Sequence, residues 1–174
     1  GDDFIINGSK VWTTCANLAD YMVVYARTDP QAAKNTQGIT IFLVDPKTAG
    51  IEIRKINKLG IRATSSFEVF YNDVRVPRSS ILGRQDYGFY DLLPMLNNER
   101  ILVAAICLGL AQAAFNDALE YAKQRQAFGR PIGQFQALQH ELARTRTDIE
   151  LATLITYKAA WLQSLGRECG TEAN

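Results

Sequence analysis

The apolar residues change their period once along the chain, near residue 87. Before that point they come in short alternating or continuous runs with turn chemistry between them, which is the signature of strands. Residues 4–7 and 10–13 flank Asn7-Gly8, a dipeptide that predicts a two-residue type I′ hairpin. Residues 21–27 (YMVVYAR) and 38–44 (GITIFLV) read as buried strands, separated by a polar loop containing one proline. Residues 45–50 turn, residues 51–54 alternate, and residues 67–71 with 73–76 form a last strand region ended by Pro77. Strands at this spacing predict a small antiparallel barrel or sandwich.

After residue 87 the spacing is helical. Leu92, Leu96, Ile101, Ala104, Leu108, Ala111 and Phe115 fall on one stripe, which predicts a helix to about residue 126. Pro94 is tolerable near its start and would kink it if deeper. Leu138, Leu142, Ile149, Ala152, Ile155 and Ala159 form a second stripe that ends near Leu165-Gly166. Two such helices with a short loop form an antiparallel hairpin, which cannot bury both stripes alone. The expected fold is therefore α+β. An antiparallel β-barrel or sandwich domain (1–83) is followed by long antiparallel helices of an incomplete helical bundle (84–174). Both chain ends read as cut from something longer.

Charge narrows the partners. Nineteen basic and 18 acidic residues give a formal +1, so there is no broad basic field for nucleic acid or an anionic membrane. Any anion must be held by a few placed groups. The 3 cysteines are scattered and there is 1 histidine, His140. That pattern supports neither a disulfide framework nor a metal site. Reduced thiols point to a bacterial cytoplasm or a mitochondrial matrix. No apolar run reads as a bilayer span, and no signal peptide is visible. Cys107 and Trp161 read as core, and residues 57–62 (NKLGIR) as a basic turn that is solvated or guides an anionic tail.

Three segments carry surplus chemistry. If Trp12 and Thr14 share a face of an extended segment, an indole and a hydroxyl project together, able to hold a flat ring and its heteroatoms. A core Trp beside a strand-forming Thr accounts for the same residues. Asn97-Asn98-Glu99-Arg100 interrupts the first helical stripe. A carboxylate held in an apolar helix wall gains a raised pKa and serves as a base, whereas on the outer face it is simply solvated. Residues 125–136 (RQAFGRPIGQFQ) join the helices. A connection needs only the Gly and Pro; Arg125, Phe128 and Gln136 are surplus and suggest a grip on a flat anion such as a dinucleotide.

The order of these features resembles the acyl-CoA dehydrogenases: Trp-x-Thr, then LGIRATSSFEVFYNDVRVP (59–77), then the Glu-Arg helix, then RQAFGRPIGQFQ. The resemblance implies the middle β domain and the first part of the C-terminal helical domain of an FAD enzyme. It implies Trp12 beside the flavin ring, the Thr14 hydroxyl near N5, and Thr13 contributing backbone. Arg125 and Gln136 would reach the FAD of a neighbouring subunit in a dimer of dimers, with Phe128 lining the adenosine part. Ala127 stands where some relatives have a hydroxyl residue. The implied reaction removes the proton α to an acyl-CoA thioester carbonyl and passes the β hydride to flavin N5. Electrons then go to an electron-transfer flavoprotein or similar acceptor. Arg100 and Asn97 fall on the substrate side, and Glu99 stands where a minority of relatives carry the base. Most relatives carry theirs far downstream. An acyl-CoA oxidase, or a non-catalytic assembly fragment, remains the alternative.

Overall fold

The computed structural model describes residues 3–174. Its first six strands are β1 (Asp3–Thr14), β2 (Met22–Arg27), β3 (Ile39–Val44), β4 (Ile51–Ile56), β5 (Ser66–Pro77) and β6 (Ile81–Leu82). They form two antiparallel three-stranded sheets, ordered β1-β5-β4 and β2-β3-β6. Ile6, Phe67, Val69, Tyr71, Val74 and Val76 of the first sheet share one core with Met22, Val24, Phe42 and Val44 of the second. This is the sandwich that the alternation predicts: each sheet buries one face against the other. Phe42 lies at the centre and is fully buried. Its truncation to Ala costs about 3–5 kcal/mol on the usual scale for core aromatics.

The predicted Asn7-Gly8 hairpin does not form. β1 runs straight through both residues, paired along its length with β5. The register slips between Ile6↔Val74 and Gly8↔Tyr71, which leaves an extra residue on β5. Asp73 there has a φ of 52°. Asn7 stabilises it by accepting from the Asp73 amide (2.8 Å) and donating to the Asp73 carboxylate (2.9 Å). The bulge explains the phase of β5. Phe67, Val69 and Tyr71 point inward on odd numbers, and Val74 and Val76 on even ones. Without the extra residue, one of these sets would face water.

The helices are α1 (Gly88–Gln124), α2 (Gln136–Ser164) and the short α3 (Gly170–Ala173). α2 ends as predicted. Gly166 has a φ of 64°, its amide donates to the Gln163 carbonyl, and the Arg167 amide donates to that of Leu162. Those bonds form a Schellman motif, which satisfies carbonyls the helix leaves open. α1 and α2 run antiparallel, and Arg146 of α2 donates to Gln112 of α1 at 3.2 Å. Pro94 lies inside α1, where it cannot donate to the Tyr90 carbonyl one turn back. The chain divides into two compact units, Gly1–Leu92 and Leu93–Asn174.

Two expectations fail on the helices. Cys107 is exposed, and Trp161 is 56 % exposed, so neither fills a core among the described residues. α1 is also long and apolar enough, by length and composition, to cross a membrane, and none of its apolar window is buried. A bundle helix whose apolar face lacks its neighbours passes the same test. Apolar residues off these stripes are open too: Leu102, Ile106 and Leu110 on α1, and Leu151, Leu154 and Tyr157 on α2, are all exposed. The helical hairpin leaves its apolar faces uncovered, as its geometry requires.

Candidate functional site

Trp12 and Thr14 stand at the end of β1, but not on a plain extended strand. A second bulge lies between Lys10↔Val69 and Thr13↔Phe67, and Trp12 has a φ of 65°. The simple alternation that would put positions 12 and 14 on one face is broken there. Trp12 is nonetheless 62 % exposed, which excludes the core reading of its indole. Thr14 is exposed and Thr13 half-buried. Beyond them the Cys15 amide donates to the Ser65 carbonyl at 2.9 Å. A large aromatic at a strained, exposed bulge is a surface shaped for contact with something flat. This arrangement suits a flat ring system, with the Thr14 hydroxyl at hand for a heteroatom.

On α1, Glu99 and Arg100 line one hollow of about 410 Å³ together with Val103, Ala104 and Ala173. Adjacent helical residues usually diverge; here both contribute to the same wall. Arg100 donates to the Asn97 side chain one turn earlier at 3.4 Å. Asn97 thus holds Arg100, and Arg100 and Glu99 line the same hollow. Glu99 is exposed, so the described residues do not enclose it among apolar groups.

The junction after α1 is a small β-hairpin rather than a loop. β7 (Gln126–Ala127) pairs with β8 (Arg130–Pro131). Phe128 and Gly129 form the two-residue turn, with φ of 51° and 80°, as a type I′ turn demands. Phe at the first of these positions is costly, since its Cβ crowds the backbone in the left-handed region. Its ring is 97 % exposed and meets Phe135 edge to face at 6.2 Å. The Arg130 guanidinium lies 4.4 Å over the other ring. The Ile132 amide donates to the Arg125 carbonyl at 2.8 Å, closing the hairpin's base. Arg125 and Gln136 are exposed on either side. The junction presents an aromatic and a guanidinium outward on a rigid turn, which fits a nucleotide base and its phosphates. His140 is exposed on α2 and joins none of these groups.

In the connection between β4 and β5 the sequence shows a basic turn but not its shape. Lys55, Asn57, Lys58, Arg62, Thr64 and Ser65 line a hollow there of about 340 Å³. The available signal was the spacing of the three cations, which looked solvated because nothing in the sequence shows that the loop folds back on itself.

Comparison with known proteins places these features in a context. The family model "Acyl-CoA dehydrogenase, middle domain" matches residues 1–74, and "Acyl-CoA dehydrogenase, C-terminal domain" matches residues 86–174. The mitochondrial short/branched chain specific acyl-CoA dehydrogenase of Rattus norvegicus is 43 % identical over 100 % of this chain and 40 % of its own length. The 3-(aryl)acrylate reductase of Clostridium sporogenes is 41 % identical over 100 % of this chain and 46 % of its own. Among solved structures, butyryl-CoA dehydrogenase from Megasphaera elsdenii superposes with a TM-score of 0.83 at 38 % identity, covering 98 % of this chain and 44 % of that one. The chain spans less than half the length of these relatives.

Proposed function

The chain belongs to the acyl-CoA dehydrogenase family, and from that premise we propose that it forms the middle and helical parts of an FAD-dependent enzyme that dehydrogenates an acyl-CoA thioester between Cα and Cβ. The observation that carries this reading is the hollow on α1, where Glu99 and Arg100 share a wall with Asn97 behind them. A carboxylate beside a cation suits removal of a proton next to a thioester carbonyl.

Glu99 is the base in this reading. It takes the α proton of a substrate seated in this hollow. Arg100, oriented by Asn97, binds the CoA side of the thioester and fixes its direction relative to Glu99. Trp12 packs against the flavin ring, the Thr14 hydroxyl donates to its edge, and Thr13 adds a backbone contact. FAD, when bound, supplies the acceptor for the β hydride. Arg125, Phe128 and Gln136 hold the pyrophosphate and adenosine of FAD from a neighbouring subunit, which makes the working form a homo-oligomer, a dimer of dimers. An electron-transfer flavoprotein or similar acceptor takes the electrons onward, in a bacterial cytoplasm or a mitochondrial matrix.

The test uses the full-length protein. Anaerobic addition of a saturated acyl-CoA should bleach its flavin absorbance and yield the α,β-unsaturated thioester. A flavin-loaded protein that short, branched and long acyl-CoA substrates all leave oxidised would overturn the assignment.

A further inference from the structure

The hollow between β4 and β5 lies beside the flavin segment but is assigned to nothing above. Its floor is set by strand register: Thr14 pairs with Ser66, and Ser66 with Ile56. The Cys15 amide, bonded to the Ser65 carbonyl at 2.9 Å, ties its rim to the end of β1. Lys55, Lys58 and Arg62 line it, with the Thr64 and Ser65 hydroxyls and the Asn57 amide, and no acidic residue is among the lining groups. Elsewhere on this sheet Arg54 pairs with Glu52 and Arg75 with Asp3. None of the three lining cations forms an ion pair among the described residues.

The loop is also ordered against itself. The Lys58 ammonium donates to the Ser66 hydroxyl at 3.0 Å, and Arg62 Nε donates to the Leu59 carbonyl at 3.2 Å. The second bond fixes the guanidinium through Nε and leaves its two terminal nitrogens for another acceptor. Ile61, immediately before Arg62, has a φ of 49°. A β-branched residue in the left-handed region is a real outlier, and such strain gathers at ligand clamps. Three cations held close together repel one another, and an anion among them removes that cost.

We propose that this hollow is a phosphate subsite, in which Lys58 and Arg62, with Lys55 behind them, bind a phosphate group of the nucleotide ligand whose ring system or thioester lies beyond Trp12 and Thr14. It deepens the function proposed above and rests on it. A fork of guanidinium nitrogens with an ammonium and two hydroxyls is the donor set that phosphate oxygens take. FAD and acyl-CoA both carry phosphates, and either could present one here.

The experiment compares full-length wild type with Lys58→Gln/Arg62→Gln, with Arg54→Gln as a control cation outside the hollow. Apoprotein is titrated with FAD, and holoenzyme with an acyl-CoA thioester, each at low and high salt. The expected result is a Kd raised about tenfold for one of the two ligands at low salt, a gap that narrows as salt screens the site, with Arg54→Gln unchanged. A rise for FAD assigns the subsite to the flavin's phosphates, and a rise for the thioester to those of CoA. Arg62→Lys should recover part of the loss, which a merely unfolded loop would not. Both affinities within twofold of wild type would overturn the subsite while leaving the enzyme reading intact. A wild type that binds neither ligand would overturn both.

Discussion

Glu99 stands within α1 and Arg125 directly follows its last residue, Gln124; the two are 26 residues apart in sequence, which at about 1.5 Å of rise per residue is roughly 39 Å. α1 carries the proposed base and the hairpin that follows it the proposed nucleotide grip, so the two can be separated by mutation. In the full-length protein Glu99→Gln should lower turnover by about 10²–10⁴-fold while flavin occupancy stays at the wild-type level. Rapid anaerobic mixing with acyl-CoA measures the first and absorbance the second. Turnover within a few-fold of wild type would assign the base to another residue.

Arg125→Ala should have the opposite profile. Losing a charge-assisted contact to phosphate weakens FAD binding by about tenfold or more, and if the FAD belongs to a neighbouring subunit, assembly weakens with it. Gel filtration coupled to flavin absorbance reads both. Full flavin occupancy in an intact oligomer would reduce the junction to a connector.

Phe128 occupies a turn position that glycine fills without strain. Phe128→Gly should stabilise the hairpin by about 1 kcal/mol, less the backbone entropy that glycine adds to the unfolded chain, and raise the melting temperature slightly. The same change removes the exposed ring and should weaken flavin retention. A variant with lower stability and unchanged flavin binding would show that the ring serves folding instead.

Asp91 joins the turn after β6 to the start of α1. Hydrogen bonds from the Arg84 side chain and amide hold its carboxyl below the ordinary value of 3.8, and the two side chains meet at 2.6 Å. The folded state therefore keeps this carboxylate ionised at a pH where the unfolded chain has protonated it. Its contribution to stability is complete above the ordinary carboxylate value and declines as pH falls below it, toward the depressed one. Acid unfolding of Asp91→Asn should show a weaker dependence on pH in that window than wild type. Coincident acid transitions would show that the pair is too well solvated to contribute.

Much of this architecture was legible because burial leaves a period in the sequence. β2, β3 and both long helices fall where the apolar spacing puts them, and the Gly166 stop was readable from the glycine. Asn7-Gly8 was misread because the same dipeptide serves a tight turn and a bulge, and only the pairing with β5 decides between them. The left-handed backbone at Trp12 and Phe128 was invisible for a related reason: neither residue favours it, so it is imposed by the bulge and the turn around it. The cationic hollow depends on a loop folding back, which no local pattern encodes. The Trp, Glu-Arg and Arg-Phe-Gln segments were conspicuous because they exceed what strands and connections need.

The bulge at Asp73 also bears on how this chain can change length. β5 carries two inward-facing sets of residues in opposite phase, and one extra residue reconciles them. Deleting Asp73 would not just shorten a strand. It would turn Val74 and Val76 outward or force Phe67, Val69 and Tyr71 to do so, because each single-residue step along a strand reverses the face. A gain or loss of one residue in this strand is therefore tolerable only beside the bulge or in the flanking turns. The most conservative-looking edit in the β domain would be among the most damaging, while a large insertion in the loop between β2 and β3 would leave the sandwich in register.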